Sequence, residues 1–314
     1  MFSTEPELLD ALAELLLSAS ATVPRERLST QLKCSSQHLE TALHELRTLG
    51  APIVETAAGC VLTLADPLDA ATIREALPPT CRIAVNVRRV CASTNDELRT
   101  GEMPAMCVAE SQTAGRGRRG QDWVQPFGQG LALSFAAAAP RGRLDPLAVA
   151  LAASVAAALR DLGYAGIGLK WPNDLWADGR KLGGVLVVAE GGAEPRVIVG
   201  LGLNVHAAPK LAGRETAALV ELGPPPLRNL LAGEMVAAIA DGLARYQDEG
   251  FAPFAREFAA FDVLVGHEIA LEESDRKLRG VACGIDAAGA LILDTANGRL
   301  SRTAGEVRLT CAGV

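Results

Sequence analysis

The segment Ile167-Gly168-Leu169-Lys170-Trp171-Pro172-Asn173-Asp174 indicates how the central part of the chain folds and where it could bind a ligand. A short apolar strand ends in a turn, because Pro172 restricts the backbone and Asn173 and Asp174 favour turn conformations. Lys170 and Asp174 are then placed to serve a nucleotide phosphate and Mg²⁺, since hard cations take carboxylate oxygens. The alternative is a plain turn between strands, in which the tryptophan only packs.

Residues 81–262 around this segment mix strand-like and helix-like patterns, which predicts one α+β domain built on a mixed sheet. Short apolar runs bounded by turn residues are typical of strands, and long runs with helical spacing are typical of helices. The predicted strands are Ile83–Val87, Met106–Ala109, Leu131–Phe135, Ile167–Lys170, Gly184–Val188 and Val197–Leu201. The predicted helices are Leu144–Leu162 and Leu227–Asp248.

Glycine and arginine are concentrated in Gly115-Arg116-Gly117-Arg118-Arg119-Gly120, with Asp122 as the nearby acid. Glycine makes a backbone permissive, and guanidinium groups offer paired donors to carboxylate and phosphate oxygens. The segment therefore suits a mobile loop that folds over a phosphate-bearing ligand. It is not a P-loop, because no Gly-Lys-Ser/Thr follows. The alternative is a solvated turn.

Two further glycine-rich stretches are Arg180-Lys181-Leu182-Gly183-Gly184-Val185-Leu186 and Gly200-Leu201-Gly202-Leu203-Asn204-Val205. Glycines within strands let a ligand lie close to the backbone. Lys181, just before a predicted buried strand, is placed to meet an anionic group. Taken alone, it also fits an ordinary surface lysine.

Residues 1–66 are predicted to form three helices followed by a β-hairpin, with Ser35 or Ser36 capping the third helix. This order resembles a winged helix-turn-helix, a DNA-reading module. This N-terminal part, residues 1–66, which we call the head, has four basic residues and nine acidic residues. Because phosphate contacts supply much of DNA affinity, the alternative is an inherited module that only packs against its neighbours. The candidate DNA-binding residues are Ser36, Gln37, His38 and Arg47.

The remaining organisation is a short helical linker over residues 67–80 and a C-terminal part, residues 263–314. Prolines bracket the linker at Pro67 and Pro78-Pro79. The C-terminal part has short strand-like runs separated by glycine-rich and aspartate-rich turns, which predicts a small β-barrel.

Composition excludes several classes of protein. The chain has 314 residues, of which 49% are hydrophobic and 21% charged, so packed cores are expected rather than disorder. No apolar run approaches the ~20 residues that cross a bilayer, and the N-terminus lacks the basic start of a secretory signal, which favours the cytoplasm. Seven scattered cysteines without a C-x-x-C pair argue against a disulfide framework and a zinc site.

Three clusters follow one another along the chain: the glycine–arginine segment 115–120, the segment 170–174, and the glycine-rich stretches 180–186 and 200–205. Together with Ser93-Thr94-Asn95 and Gln112 upstream, they closely resemble the biotin–protein ligase family, in the bifunctional bacterial layout with a DNA-binding head. The resemblance implies a class II synthetase-like catalytic domain and an SH3-like C-terminal barrel. It also implies an activity in two steps. Biotin and ATP form biotinyl-5′-AMP with Mg²⁺, and a lysine of a biotin carboxyl carrier protein then takes the biotin. Binding to operator DNA and ligand-dependent pairing of two chains are further expectations.

The resemblance also implies roles for individual residues. Arg118, Lys181 and Asp174 would be catalytic, with Asp174 serving either Mg²⁺ or deprotonation of the incoming lysine. Biotin would be bound by Ser93, Thr94, Asn95, Gln112, Gly115, Arg116, Lys181 and Gly184. ATP or the adenylate would be bound by Arg118, Arg119, Trp123, Lys170, Asn173 and Asn204.

Two alternatives and one departure from the family pattern stay open. A lipoate or octanoyl ligase of the same broad fold would also modify a lysine, and a biotin-sensing regulator would bind without ligating. The family usually carries an acid before Ser93, where this chain has Ala92, so the support behind Ser93 and Thr94 is in question. Cys91 fits a packed thiol better than a nucleophile, because the expected acyl transfer passes through an adenylate.

Overall fold

The head contains three helices and a two-stranded sheet. In this computed structural model, structure is described for residues 3–19, 21–192, 194–213, 215–224, 226–273 and 276–309. Ser35 caps the third helix, its Oγ accepting the N–H of His38 at 3.2 Å. Leucines at helical spacing are fully buried between the helices, as at Leu12 and Leu43. The elements are α1 (Pro6–Ser18), α2 (Arg25–Leu32), α3 (Ser36–Thr48), β1 (Ile53–Thr56) and β2 (Gly59–Leu62).

The segment predicted as a linker contains a helix, α4 (Ala70–Ala76). Asp69 caps it, since its Oδ1 accepts the N–H of Thr72 at 2.8 Å. Leu68 and Ile73 are fully buried in the same hydrophobic core as the central sheet. The segment therefore packs against the central part of the protein and is not an exposed linker.

A seven-stranded mixed sheet forms the centre of the molecule, as the sequence predicts. Its strand order is β3-β4-β5-β9-β8-β7-β6, in which β3 and β4 are parallel and all other neighbours are antiparallel. The elements of this part are β3 (Ala84–Cys91), β4 (Ala105–Gln112), β5 (Gly130–Ala138), α5 (Leu147–Asp161), β6 (Ile167–Lys170), β7 (Asp174–Ala177), β8 (Arg180–Glu190), β9 (Arg196–Asn204), α6 (Arg228–Glu249) and α7 (Ala252–Ala259).

Strand β7 is absent from the sequence prediction, and β8 begins at Arg180, earlier than the predicted start at Gly184. The two strands form a hairpin whose turn is Asp178-Gly179, with φ values of 48° and 73°. Asp-Gly with positive φ at both positions is a strong signal for a two-residue hairpin turn, and it could have revealed β7. As a result, Lys181 lies within a strand rather than before one.

The two faces of the sheet differ in side-chain size. Helices α5 and α6 pack on one face against large residues such as Leu133 and Leu201. On the other face, Ala132, Gly202 and Gly184 stand in register across β5, β9 and β8. These small residues leave room above the sheet, and the candidate site lies there.

The C-terminal part is a five-stranded antiparallel sheet with the order β13-β12-β11-β10-β14. Its core side chains, among them Leu271 and Leu291, are continuous with the core of the central sheet. Trp171 Nε1 donates a hydrogen bond to the carbonyl of Gly289 at 2.9 Å, which attaches this part to the turn after β6. The strands are β10 (Glu268–Glu273), β11 (Arg276–Ile285), β12 (Leu291–Thr295), β13 (Gly298–Arg302) and β14 (Glu306–Leu309).

No helix in the described ranges is both long enough and apolar enough to cross a membrane.

Candidate functional site

The β7–β8 hairpin brings two opposite charges together on the open face of the sheet. Lys181 Nζ lies 2.7 Å from Asp174 Oδ1, and both side chains are partly exposed. Gly184 pairs with Asp174 in the ladder, and a Cβ at Gly184 would lie 3.3 Å from the Asp174 carboxylate. The glycine therefore keeps the space beside this ion pair open.

Arg118 reaches the same place from the glycine–arginine loop. Its Nη1 donates to Asn173 Oδ1 at 3.3 Å, while Asn173 Nδ2 donates to the carbonyl of Val185 at 2.5 Å. Burial lowers the pKa of the Arg118 guanidinium, and the nearby Asp174 carboxylate opposes that shift. Two segments distant in sequence, the glycine–arginine loop and the hairpin region 173–181, thus place Arg118, Asn173, Asp174 and Lys181 in one cluster, which we call the charged cluster.

A second group of polar residues lies where β3 ends. Gln112 Oε1 accepts hydrogen bonds from the N–H of Thr94 at 2.8 Å and from its hydroxyl at 3.2 Å. The Ser134 hydroxyl lies 2.7 Å from Thr94 Oγ1 and 2.5 Å from Asn95 Oδ1. Ser93 and Thr94 are buried, so the loop Ser93–Asn95 forms a fixed polar wall, which we call the β3 loop.

Ser134 belongs to this polar group, and the sequence analysis did not single it out. It is fully buried in β5, a strand that is otherwise strongly apolar. A lone serine in such a run is a usable signal, because a buried hydroxyl needs hydrogen-bond partners.

Trp123 covers the small-residue face of the sheet. Its ring lies so close to Gly202 that a Cβ there would be 2.3 Å from Trp123 Cε2. The backbone N–H of Trp123 donates to the carbonyl of Gly115 at 2.9 Å, and Lys181 Nζ lies 6.0 Å from the centre of the indole ring. Trp123 Nε1 is buried and has no hydrogen-bond partner among the described residues. The indole therefore offers a free donor beside the charged cluster.

The glycine–arginine loop is folded as a compact turn in this structure. The N–H of Gly117 donates to the carbonyl of Gln121 at 2.6 Å, and the N–H of Gln121 donates to the carbonyl of Arg118 at 3.1 Å. Between them, Arg119 has a left-handed backbone with a φ of 56°. At Gly115 a Cβ would lie 2.4 Å from the carbonyl oxygen of Trp123, so a side chain cannot be accommodated there. Movement of the loop on binding a ligand stays a prediction.

Four other predicted site residues have partners outside both the charged cluster and the β3 loop in this structure. Arg116 Nη2 lies 2.7 Å from Asp96 Oδ2 at the exposed rim, and Arg119 Nη1 donates to the carbonyl of Glu272 at 3.1 Å. The other two residues are Lys170, whose Nζ lies 4.7 Å from the centre of the Trp176 ring, and Asn204, whose Nδ2 donates to the carbonyl of Ala217 at 3.0 Å.

A cavity of about 280 Å³ opens beside the charged cluster. It lies between the central sheet and the C-terminal part, and its walls include Arg118, Pro172, Leu186 and Gly289. Arg118 thus borders both this cavity and the charged cluster. The size of the cavity suits part of a small organic ligand.

Asp174 is the residue of the charged cluster that suits binding of Mg²⁺. No group of three or more His, Cys, Asp or Glu side chains in the described ranges could hold a metal ion without other ligands. Mg²⁺, however, is commonly bound through one or two carboxylates together with substrate phosphates and water. The partly exposed Asp174 carboxylate fits that kind of site.

Comparison with known proteins gives the family. Residues 85–204 match the model of the biotin/lipoate A/B protein ligase family, and residues 264–309 match that of the biotin protein ligase C-terminal domain. The bifunctional ligase/repressor BirA of Escherichia coli is 31% identical over 280 residues, covering 86% of this chain and 87% of BirA. The chain belongs to the biotin protein ligase family. The resemblance inferred from the sequence motifs is thereby confirmed.

Two further members of the biotin protein ligase family agree with this assignment. A biotin–[acetyl-CoA-carboxylase] ligase of Paracoccus denitrificans is 35% identical over 225 residues, covering 65% of this chain and 89% of that protein. A solved structure of the biotin protein ligase from Aquifex aeolicus, in complex with biotin and ATP, superimposes with a TM-score of 0.63 at 27% identity. The match covers 72% of this chain and 98% of the Aquifex chain.

Proposed function

We propose that this protein is an ATP-dependent, AMP-forming biotin–[acetyl-CoA-carboxylase] ligase. The biotin carboxylate attacks the α-phosphate of ATP, which yields biotinyl-5′-AMP and pyrophosphate. A lysine amine of the biotin carboxyl carrier protein then attacks the acyl carbon of this mixed anhydride and releases AMP. The observation that carries the proposal is the convergence of Arg118, Asn173, Asp174 and Lys181 above the glycine face of the sheet.

The first step brings two anions together, so the site must supply positive charge. Lys181 and Arg118 are cations within reach of the open face, and we assign them to the biotin carboxylate and the α-phosphate respectively. Asp174 holds Lys181 in place before substrates bind, at 2.7 Å. Partial burial strengthens these interactions, because the dielectric there is lower than in water.

Biotin would lie against the β3 loop. Ser93, Thr94, Asn95 and Gln112 offer hydroxyl and amide groups that suit a ring urea, which has both donors and acceptors. The backbone of Gly115 and Gly184 would border the same pocket. Arg116 would join these residues after leaving Asp96.

The nucleotide would lie on the side of Trp123 and Asn173. The indole of Trp123 would shelter the adenine, and Lys170, Arg119 and Asn204 would complete the nucleotide side after changing their present partners. An acyl-adenylate hydrolyses quickly in water, so the glycine–arginine loop would exclude water until the carrier lysine arrives.

Mg²⁺ would be held by Asp174 together with the phosphates of ATP. When bound, it supplies charge neutralisation at the phosphates. The same carboxylate is also the best-placed group to accept a proton from the incoming lysine amine.

Two other activities are outcomes of the test. A lipoate or octanoyl ligase would activate a different acid in the same fold, and a regulator that only senses biotin would form no adenylate. The presence of Arg118 and Lys181 supports catalysis, and the relatives named as biotin ligases support biotin as the acid.

The test is ATP–pyrophosphate exchange with biotin or with lipoate, followed by mass spectrometry of a carrier-domain peptide. We expect exchange with biotin and Mg²⁺, no exchange with lipoate, and one biotinylated lysine in the peptide. Exchange with lipoate alone, or binding of biotin without exchange, would replace the proposal by the corresponding alternative.

We further propose that residues 1–66 form a winged helix-turn-helix, residues 67–80 a linker helix, residues 81–262 a class II synthetase-like catalytic domain and residues 263–314 an SH3-like barrel. The helix α3 would enter the DNA groove with Ser36, Gln37 and His38, which are exposed. A relative named as a ligase/repressor supports operator binding as a second function. A gel-shift assay at low salt with a biotin-synthesis promoter tests it, and no shift with biotin, ATP and Mg²⁺ present would exclude it.

A further inference from the structure

Ser134 places a buried hydroxyl beneath the β3 loop. It is the one polar side chain of β5 (Gly130–Ala138), and the side chains on either side of it, Leu133 and Phe135, belong to the hydrophobic core. Ala132 and Ala136, which share its face of the sheet because side chains alternate along a strand, carry only methyl groups. A hydroxyl at this position therefore interacts with the loop above it.

The Ser134 hydroxyl contacts two residues of the β3 loop at once. Ser134 Oγ lies 2.7 Å from Thr94 Oγ1 and 2.5 Å from Asn95 Oδ1. Thr94 Oγ1 in turn lies 3.2 Å from Gln112 Oε1. Four side-chain oxygens therefore form a chain with three contacts, in the order Asn95, Ser134, Thr94, Gln112. We call it the oxygen chain.

The oxygen chain has fewer hydrogens than contacts. The carboxamide oxygens of Asn95 and Gln112 can only accept hydrogen bonds, and the hydroxyls of Thr94 and Ser134 supply one hydrogen each. Two hydrogens must therefore serve three contacts. The best arrangements use both hydrogens inside the chain and leave one contact between two oxygens without a hydrogen. As a result, the chain has no hydroxyl hydrogen left for a ligand and offers only acceptors.

Burial makes this shortage of hydrogens unfavourable. Thr94 and Ser134 are buried, so water has little access to their oxygens. Asn95 Oδ1 lies close to the backbone of β9, since a Cβ at Gly200 would be 2.6 Å from it. A buried acceptor without a donor costs free energy, and a ligand that brings an N–H group removes that cost. The oxygen chain therefore favours a ligand that donates and disfavours one that places an oxygen there.

We propose that Ser134 is a specificity-determining residue for the acid substrate. Its hydroxyl brings one hydrogen but makes two contacts, and this excess of contacts turns the side chains of Thr94 and Asn95 into acceptors for a ring N–H. The inference rests on the proposed function of the β3 loop as the biotin-binding wall. A cyclic urea has an N–H group on each side of its carbonyl and meets this requirement. The dithiolane ring of lipoate and the alkyl chain of octanoate have no N–H group.

The test measures direct binding of three acids to the full-length wild-type protein and to Ser134→Ala by isothermal titration calorimetry. The acids are biotin and its two cyclic carbamate analogues, in which oxygen replaces one or the other urea N–H. We expect one carbamate to bind the wild type about 100-fold more weakly than biotin, because its ring oxygen meets an acceptor.

Ser134→Ala leaves the hydrogen of Thr94 with a single contact, to Gln112, and removes the donor of Asn95. We expect biotin to bind this variant about tenfold more weakly than the wild type, while the poorly bound carbamate binds both proteins equally. The discrimination between these two acids then falls about tenfold. The other carbamate keeps the N–H that faces the oxygen chain and should respond to Ser134→Ala as biotin does.

Ser154→Ala is the matched control for loss of a buried serine hydroxyl. Ser154 is buried, and its hydroxyl donates to the carbonyl of Ala150 at 3.4 Å within α5, away from the β3 loop. All three acids should bind Ser154→Ala as they bind the wild type. Equal weakening of biotin and both carbamates in Ser134→Ala would indicate a purely structural role and overturn the inference. Unchanged binding of biotin in Ser134→Ala would do the same.

The proposed function fails separately from this inference, because binding of the acids needs no ATP. Wild-type protein that binds biotin but shows no biotin-dependent exchange would contradict the ligase activity and not the role of Ser134. Active wild-type protein that binds biotin and both carbamates equally would contradict the inference alone. If Ser134→Ala does not fold, Ser134→Cys decides: its thiol is a weak donor and a weak acceptor, so the discrimination should fall, and full discrimination would overturn the role.

Discussion

Lys181 Nζ and Asp174 Oδ1 lie 2.7 Å apart across the β7–β8 hairpin, so the two opposite charges proposed to serve the substrates are paired with each other. Such a pair positions both side chains, and substrate phosphates and carboxylates can exchange for one partner as they bind. Because the pair is partly exposed, its net contribution to stability is small. The main effect of the ion pair is to position the Lys181 amine and the Asp174 carboxylate in the candidate site.

Replacing Asp174 by asparagine separates its two proposed roles. Asp174→Asn keeps the shape of the side chain and removes its charge. We expect ATP–pyrophosphate exchange to fall about 10- to 100-fold, with more Mg²⁺ needed for half-maximal rate, as for loss of a metal-organising group. Exchange kinetics at varied Mg²⁺ measure this. Normal exchange with slow transfer to the carrier would instead assign Asp174 to deprotonation of the lysine.

Replacing Arg118 by glycine tests retention of the adenylate. Arg118→Gly removes the cation that reaches Asn173 and leaves the loop free to open. We expect biotinyl-5′-AMP to escape and to label lysines of bystander proteins, because the charge that holds its phosphate is gone. Streptavidin blotting with albumin as a bystander measures the leak. Arg118→Lys keeps the charge and should leak less, and equal labelling by wild type and Arg118→Gly would contradict the role.

Replacing Gly202 by alanine tests whether the position of the Trp123 ring matters for ATP binding. The added methyl of Gly202→Ala would overlap the indole ring, so the ring must move. We expect the KM for ATP to rise about tenfold, a loss comparable to one displaced aromatic contact, with a shift in tryptophan fluorescence. Gly191→Ala, where a Cβ meets nothing within 4 Å, is the control and should behave as wild type. Unchanged ATP affinity in Gly202→Ala would remove Trp123 from the nucleotide side.

The charge of the head limits its proposed binding to DNA. Arg25 Nη2 lies 2.7 Å from Glu55 Oε1, and Arg47 is paired with the same carboxylate. We expect Glu55→Gln to tighten DNA binding and to steepen its salt dependence, because Arg47 becomes available to phosphates, while Arg25 stays paired with Glu40 at 2.8 Å. Gel shifts at several salt concentrations measure both effects. Glu26→Gln changes the net charge equally but lies outside this cluster, so equal gains from both variants would argue for general charge alone.

Asp262 is expected to reduce stability at neutral pH. Burial raises the pKa of this carboxyl, while the N–H of Leu264 opposes the shift, and Oδ2 has no hydrogen-bond partner among the described residues. A folded-state pKa above the unfolded value means that the folded protein binds this proton more tightly. The loss of folding stability caused by the charged Asp262 carboxylate is therefore absent below the unfolded-state pKa. It grows as the pH rises from the unfolded-state pKa to the folded-state pKa, and it is complete above the folded-state pKa.

We accordingly expect Asp262→Asn to raise the apparent Tm at pH 7–8 by about 2–4 °C, roughly 1 kcal/mol. The gain should shrink as the pH is lowered. Thermal unfolding followed by circular dichroism at several pH values measures it. Asp161→Asn, at an exposed acid at the end of α5, is the control. A Tm gain that is independent of pH would show that the charge of Asp262 is not the cause.

Much of the architecture is set by local sequence. Leucines at helical spacing predict the helices of the head, and short apolar runs predict six of the seven central strands, because the side-chain periods of helix and strand differ. The glycine–arginine loop, the Lys170–Asp174 segment and the glycine-rich stretches after it, together with Ser93-Thr94-Asn95 and Gln112 upstream, indicate the family. The strand β7 could also have been predicted, from Asp178-Gly179.

Other features depend on contacts between segments far apart in the chain. Asp10 and Arg89 are separated by 79 positions, and Ser134 meets Thr94 across 40 positions. No local pattern encodes such pairs, because they form only when the sheet order places β3 beside both β4 and the head. The sequence by itself therefore determined most of the elements, the family and the chemistry of the candidate residues. The tertiary structure alone decided which of these residues meet, because a hydrogen bond depends on distance in space and not on spacing along the chain.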